Sequence, residues 1–154
     1  PYQQDALDSA IRWAKKSIDP ACMELATGAG KSWILAYIAK WINDNAKKQV
    51  LILQPSAELV KQNFSKYTHT GERASIYSAS AGEKCINHPA IFATPMTVAN
   101  NIKLFGDKIG AVLIDECHQI TPTIKSIIEP FKEFTEQPSI RFGFFQHDRT
   151  ERWT

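Results

Sequence analysis

Apolar residues recur at two different spacings along this chain, and the two alternate. Between Tyr2 and Ser17 they fall at Ala6, Leu7, Ala10, Ile11 and Ala14, the three-and-four spacing of an amphipathic helix, closed by Asp19-Pro20. Ala21 to Ala26 is a short apolar run of the kind that forms a buried strand. From Lys31 to Asn45 the helical spacing returns at Ile34, Leu35, Ile38, Ala39 and Ile42. "QVLILQP" (Gln49 to Pro55) predicts a strand with a proline stop, and "SAELVKQNFSKY" a helix with Ser56 as N-cap. Strands follow at "RASIYS" and "AIFAT", a helix with proline in its first turn at "PMTVANNIKLF", and a strand ending in an acid at "GAVLID". A helix interrupted at Pro130, "PTIKSIIEPFKEF", and a last strand, "SIRFGF", complete the series. Strands separated by helices imply βαβ units, hence an α/β fold with a mostly parallel sheet and helices on both faces.

Length and charge narrow this picture only a little. At 154 residues the chain reads as a single domain spanning residues 1–154, and no apolar stretch nears the roughly 20 residues of a membrane span, so no membrane partner is expected. A net charge of +2 permits contact with a polyanion without requiring it. Cys22, Cys85 and Cys117 form no CxxC pair, which argues against a disulfide framework and for a reducing, cytoplasmic setting. Cys85 and His88 have a CxxH spacing, but no second ligand pair follows, so zinc is not expected.

The chemistry starts at "ATGAGKS", Ala26 to Ser32, at the join of a predicted strand and a predicted helix. A phosphate cradle needs inward-facing backbone N–H groups, glycines where a side chain would block the approach, and a lysine for the outer phosphates. Thr27, Gly28, Ala29, Gly30 and Lys31 meet that need; Ser32 adds a hydroxyl for Mg²⁺, and the helix behind points its N-terminal dipole at the anion. The strict formula would put a glycine at Leu25, so the loop follows the A-x-G-x-G-K-S/T form instead. The second element is "AVLIDECHQI", which sets Asp115 and Glu116 at the end of an apolar strand, where a parallel sheet presents its ligands. Adjacent carboxylates there are costly without a cation: one can hold Mg²⁺ through water, the next can take a proton from the attacking water.

In this order the two elements resemble motifs I and II (the DExH box, here "DECH") of the superfamily 2 helicases and translocases, and nearly the whole chain resembles their first RecA-like domain, a P-loop NTPase fold. "LILQPSAELVKQN" is similar to motif Ia and "ATPMTVAN" to the later Thr-Pro motif. The resemblance implies that Pro55, Ser56, Thr94 and Pro95 line a nucleic-acid backbone track. Hydroxyls and free N–H groups at helix starts suit a phosphate and ignore base identity. "PYQQDAL" is similar to the family's upstream element, which implies that Gln3 reads adenine and Tyr2 stacks or packs beside it. His118 is implied to couple the nucleotide site to the nucleic acid. Trp33 and Trp41, eight positions apart, are read as packing residues, and Lys47-Lys48 as a solvated helix end.

The family pattern breaks after "SIRFG". A Ser/Thr-Ala-Thr motif III is due there, and "FFQHDRTERWT" follows instead, more like the tail of this domain in bacterial and phage helicases of the RadD type. Either motif III has been lost or, the reading favoured here, intervening residues are missing near Gly143 to Phe145. The family's second RecA-like domain, which brings arginines to the transferred phosphate, is also absent from this chain, so the domain alone is expected to hydrolyse ATP weakly or not at all. The resulting expectation is the ATP- and Mg²⁺-binding motor domain of a DNA helicase or translocase. Lys31, Asp115, Glu116 and His118 are its catalytic set, and Ser32 and Asp115 its metal ligands. An RNA helicase, a restriction-system motor subunit and a non-catalytic ATP-gated binding module are the alternatives.

Overall fold

A computed structural model describes residues 5, 8–9, 12, 21–24, 31–105, 108–115, 122–127 and 140–145. The described strands are β1 (Ala21–Glu24), β2 (Gln49–Leu53), β3 (Ala74–Ser78), β4 (Glu83–Lys84), β5 (Ala90–Ala93), β6 (Ile109–Asp115) and β7 (Ile140–Phe145). The helices are α1 (Lys31–Ala46), α2 (Ala57–Thr68) and α3 (Pro95–Ala99), with a 3₁₀ turn at Ile102–Leu104 and a helical stretch at 122–127. The strands form one sheet in the order β1-β7-β6-β2-β5-β3-β4, parallel throughout except for the β3–β4 pair.

Why these segments make a two-sided sheet can be read from β2, β5 and β6. Nearly every residue in them is apolar, and alternate residues point to opposite faces. Val50, Ile52, Ala90, Phe92, Ala111 and Leu113 pack with Ile34, Leu35, Ile38, Ala39 and Ile42 of α1 and with Val60 and Tyr67 of α2. Leu51, Leu53, Ile91, Ala93, Val112 and Ile114 meet the other layer, built from Val98, Phe105, Ile124 and Ile127. The expected mostly parallel α/β sheet, covered on both faces, is therefore observed.

Three details depart from the sequence reading. "PMTVANNIKLF" is not one helix: α3 ends at Ala99, Asn101 donates its side-chain amide to the carbonyl of Thr97 at 2.9 Å, and the chain re-enters as the 3₁₀ turn. Paired asparagines compete for backbone groups and stop the helix. The strand β4, two exposed charged residues, has no apolar signal to predict it. Trp41 packs against the core as expected, whereas Trp33 is 43% exposed. The predicted helix over Tyr2–Ser17 and the segment around Pro130 lie largely outside the described residues.

Tyr67 anchors α2 to the sheet. Its ring meets Phe92 edge-on at 5.6 Å, and its hydroxyl lies 3.5 Å from Asn43 Oδ1. Burial, reinforced by the charges of Glu72 and Asp44, pushes its ionisation up to about 12 from the usual 10. A raised value means that the folded state favours the protonated phenol. The associated stability is complete below pH 10 and lost as pH rises toward 12. Urea unfolding followed across that window is expected to show wild type losing more stability than Tyr67→Phe.

Candidate nucleotide site and nucleic-acid face

The register sets the C-terminal ends of the parallel strands along one edge. Leu53 pairs with both Ala93 and Ile114, Asp115 with Phe144, and Phe144 with Met23. The backbone of Asp115 thus lies two strand spacings, about 10 Å, from the end of β1. The chain leaves β1 at Glu24 and re-enters at Lys31 and Ser32, the first two residues of the 16-residue helix α1. By the parallel connection of β1 to β2, α1 starts at the same C-terminal edge of the sheet at which β6 ends. Thr27, Gly28, Ala29, Gly30, Glu116, His118, Tyr2 and Gln3 lie outside the described residues, as do the side chains of Lys31, Ser32 and Asp115. β7 (Ile140–Phe145) pairs with β1 on one side and β6 on the other.

Farther along the edge, the ends of β2 and β5 carry the four predicted strand-contact residues. Pro55 and Ser56 are exposed, and Ser56 caps α2 by accepting the N–H of Leu59 at 3.3 Å. Its hydroxyl proton stays free to donate outward. Thr94 differs. It is only 8% exposed and donates to Ser78 Oγ at 2.9 Å, with Thr97 Oγ1 at 3.1 Å. Thr97 in turn accepts the N–H of Ala79, and Ser78 accepts the N–H of Ala81. This chain of buried hydroxyls ties the turn after β3 to the start of α3. Thr94 therefore works inside the protein, fixing where Pro95 and the exposed Met96 stand.

Sequence reasoning did not find Ser78 or Thr97, because isolated hydroxyl residues carry no spacing signal. Their worth is testable: Ser78→Ala removes the acceptor of a buried hydroxyl and of a backbone N–H. It is expected to lower stability by about 1–3 kcal/mol in urea unfolding, while Ser80→Ala, which removes only an exposed hydroxyl 3.1 Å from Ser78 Oγ, costs less.

Cys85 and His88 have a partner other than zinc. Ser75 Oγ, buried in β3, lies 3.4 Å from Cys85 Sγ and 2.8 Å from His88 Nδ1, and it accepts the His88 N–H at 3.1 Å. Among the described residues, no group of three or more His, Cys, Asp or Glu side chains is placed to hold a metal, and no helix is long and apolar enough to cross a membrane.

Known proteins share this architecture. The chain is 29% identical over 135 residues to the ATP-dependent DNA helicase uvsW of Enterobacteria phage T4, an alignment covering 82% of this chain and 26% of the relative. It thus spans about a quarter of that relative's length. The crystal structure of the bacteriophage T4 UvsW helicase superposes with a TM-score of 0.75 at 25% identity, over 94% of this chain and 51% of that one. The helicase domain of Pyrococcus furiosus Hef superposes at 0.73 over 97% of this chain and 33% of that one; at 19% identity it speaks to the fold alone. The resemblance to a first RecA-like domain is thereby supported by both sequence and shape. The model of the type III restriction enzyme res subunit matches residues 1–144, almost the entire chain, and the protein belongs to that family.

Proposed function

We propose that this chain is the first RecA-like motor domain of a DNA helicase or translocase, which couples ATP hydrolysis to the remodelling of DNA. The observation that carries the reading is the shared sheet edge: the acid-tipped strand β6 ends two strands from β1, the strand that leads into α1, and the proposed backbone track continues along the same edge. The DNA helicase named among its relatives favours DNA over RNA.

In this reading the N–H groups of Thr27, Gly28, Ala29 and Gly30 cradle the phosphates and Lys31 neutralises the outer ones. Gln3 reads adenine, and Tyr2 lies against it. Ser32 and Asp115 offer a hydroxyl and a carboxylate, hard oxygen donors that fit Mg²⁺. When bound, the ion draws charge from the phosphate oxygens. Glu116 accepts the proton of the attacking water, and His118 passes the state of the site on toward the nucleic acid. Pro55, Ser56, Thr94 and Pro95 shape the track. With the Thr94 hydroxyl engaged by Ser78, a strand meets the Ser56 hydroxyl and backbone N–H groups, all blind to base identity. Full turnover requires arginines from a second RecA-like domain.

Phosphate release by the intact protein, measured with single-stranded DNA, branched duplex DNA and structured RNA, tests this. Stimulation by DNA above RNA is expected; equal or stronger stimulation by RNA overturns the DNA assignment, and no stimulation overturns the motor. The family match gives one further reading weight, a motor acting with a nuclease, as in a restriction system. Double-strand cleavage that depends on ATP would identify it.

A further inference from the structure

At the opposite end of the sheet, where the parallel strands begin, the structure holds a hollow of about 480 Å³ lined by Lys47, Lys48, Gln49, Ile86, Asn87 and Lys108. The length of β2, about 15 Å, separates it from the edge described above. Three cations and two amides line it, and none of its described lining residues is acidic. Lys40 pairs with Glu72, away from the hollow, and among the described residues no ion pair to Lys47, Lys48 or Lys108 is found. Asp44, one turn before Lys47, is the described carboxylate nearest in sequence.

The hollow is built rather than incidental. Lys47 sits in the left-handed region at φ 58°, a conformation that a glycine or asparagine would adopt at lower cost. Lys48 rests on Gly110: a Cβ at that position would lie 2.8 Å from Lys48 Cβ, so the missing side chain is what admits the lysine stem. Gln49 donates its side-chain amide to the carbonyls of Ile86 at 2.7 Å and His88 at 2.8 Å, pinning the far wall. Asn43 holds the near wall, donating to the carbonyls of Lys48 at 3.0 Å and Pro89 at 2.9 Å. A strained lysine, a glycine seat and two clamped loops converge on one basic hollow.

We infer that this hollow is a phosphate-binding site, separate from the nucleotide site, for the backbone phosphates of a nucleic acid or for a free polyphosphate. Lysines supply the point charges and Asn87 a directional donor; neither reads a base. The inference is independent of the motor reading, because none of its residues belongs to that machinery.

Lysine footprinting tests it directly. The intact protein carrying Lys31→Ala, which disables the nucleotide site, is acylated with an amine-reactive reagent in the presence of pyrophosphate, of a short single-stranded DNA, or of sodium chloride at matched ionic strength. With either phosphate ligand at four times its dissociation constant, the acylation of Lys47, Lys48 and Lys108 is expected to slow about fivefold while Lys103 and Lys125 react as before. Protection by DNA alone identifies a strand as the ligand, protection by pyrophosphate a free polyphosphate, and either supports the site. Equal reactivity in all three solutions, or equal slowing by sodium chloride, overturns it. Lys47→Gly, which relieves the left-handed strain and is expected to fold at least as stably, should weaken protection of Lys48 and Lys108; undiminished protection in that variant also overturns the site.

Discussion

Replacing Glu116 by glutamine is expected to lower DNA-stimulated phosphate release by the intact protein about 10²–10⁴-fold, the range that removal of a positioned general base produces. The amide keeps the size and much of the hydrogen bonding of the carboxylate but cannot accept the proton of the attacking water. ATP affinity should therefore hold near the wild-type value, which an equilibrium binding measurement with a fluorescent analogue would establish. Lys31→Ala is the informative contrast: it removes the charge facing the phosphates, so binding itself should weaken. If Glu116→Gln hydrolysed ATP at the wild-type rate, Glu116 would not be the base, and the reading of "DECH" as motif II would lose its central residue. If the variant failed to bind ATP, Glu116 would be a structural neighbour of the cradle.

The second large effect concerns stability. Phe92→Ala is expected to cost about 3–5 kcal/mol, a large part of the 5–15 kcal/mol that holds a typical domain folded. Phe92 is 2% exposed in β5, between β2 and β3, with Tyr67 edge-on at 5.6 Å and Phe64 at 6.3 Å. Truncation empties a space that two helix-borne rings frame, and a parallel strand paired on both sides cannot shift to fill it. Phe92→Leu, which refills most of the volume, should recover more than half of the loss. Urea unfolding of the three proteins measures both numbers. A loss under 1 kcal/mol for the alanine variant would mean that α2 collapses onto the sheet and that its packing is looser than described.

The architecture was legible because its signals repeat. The runs 50–53 and 111–114 are apolar on consecutive positions, as a strand covered on both faces requires, and α1 announces its buried stripe every three or four residues. The placing of Asp115 at a strand end followed from the acid that stops an apolar run, and the register bears this out for its backbone. What the sequence did not disclose depends on meetings between distant segments. Thr94 looks like any N-cap until Ser78, sixteen positions earlier, is found accepting its hydroxyl. Lys47 and Lys48 look like a solvated helix end, because nothing local connects them to Asn87 or Lys108. Cys85 and His88 look like half a metal site until Ser75 appears between them. Periodicity reports which face of an element is buried; it is silent on which polar groups the fold then brings together.

The place of β7 in the sheet also orders events during synthesis. β1 is made early, yet its pairing partner among the described strands is β7, and Ala21 meets Phe142 across 121 positions of chain. At about 5–20 residues per second, β1 waits on the order of ten seconds at the ribosome before that partner emerges. The strands β2, β3 and β5, which pair with one another, can assemble in the meantime, since their closure spans far shorter loops. The edge formed by β1 is thus the last part of the sheet to close, and a nascent chain caught before β7 would hold most of its core with β1 unpaired. Until β7 emerges the backbone groups of β1 lack that partner, and the 121 positions between them set the length of the wait.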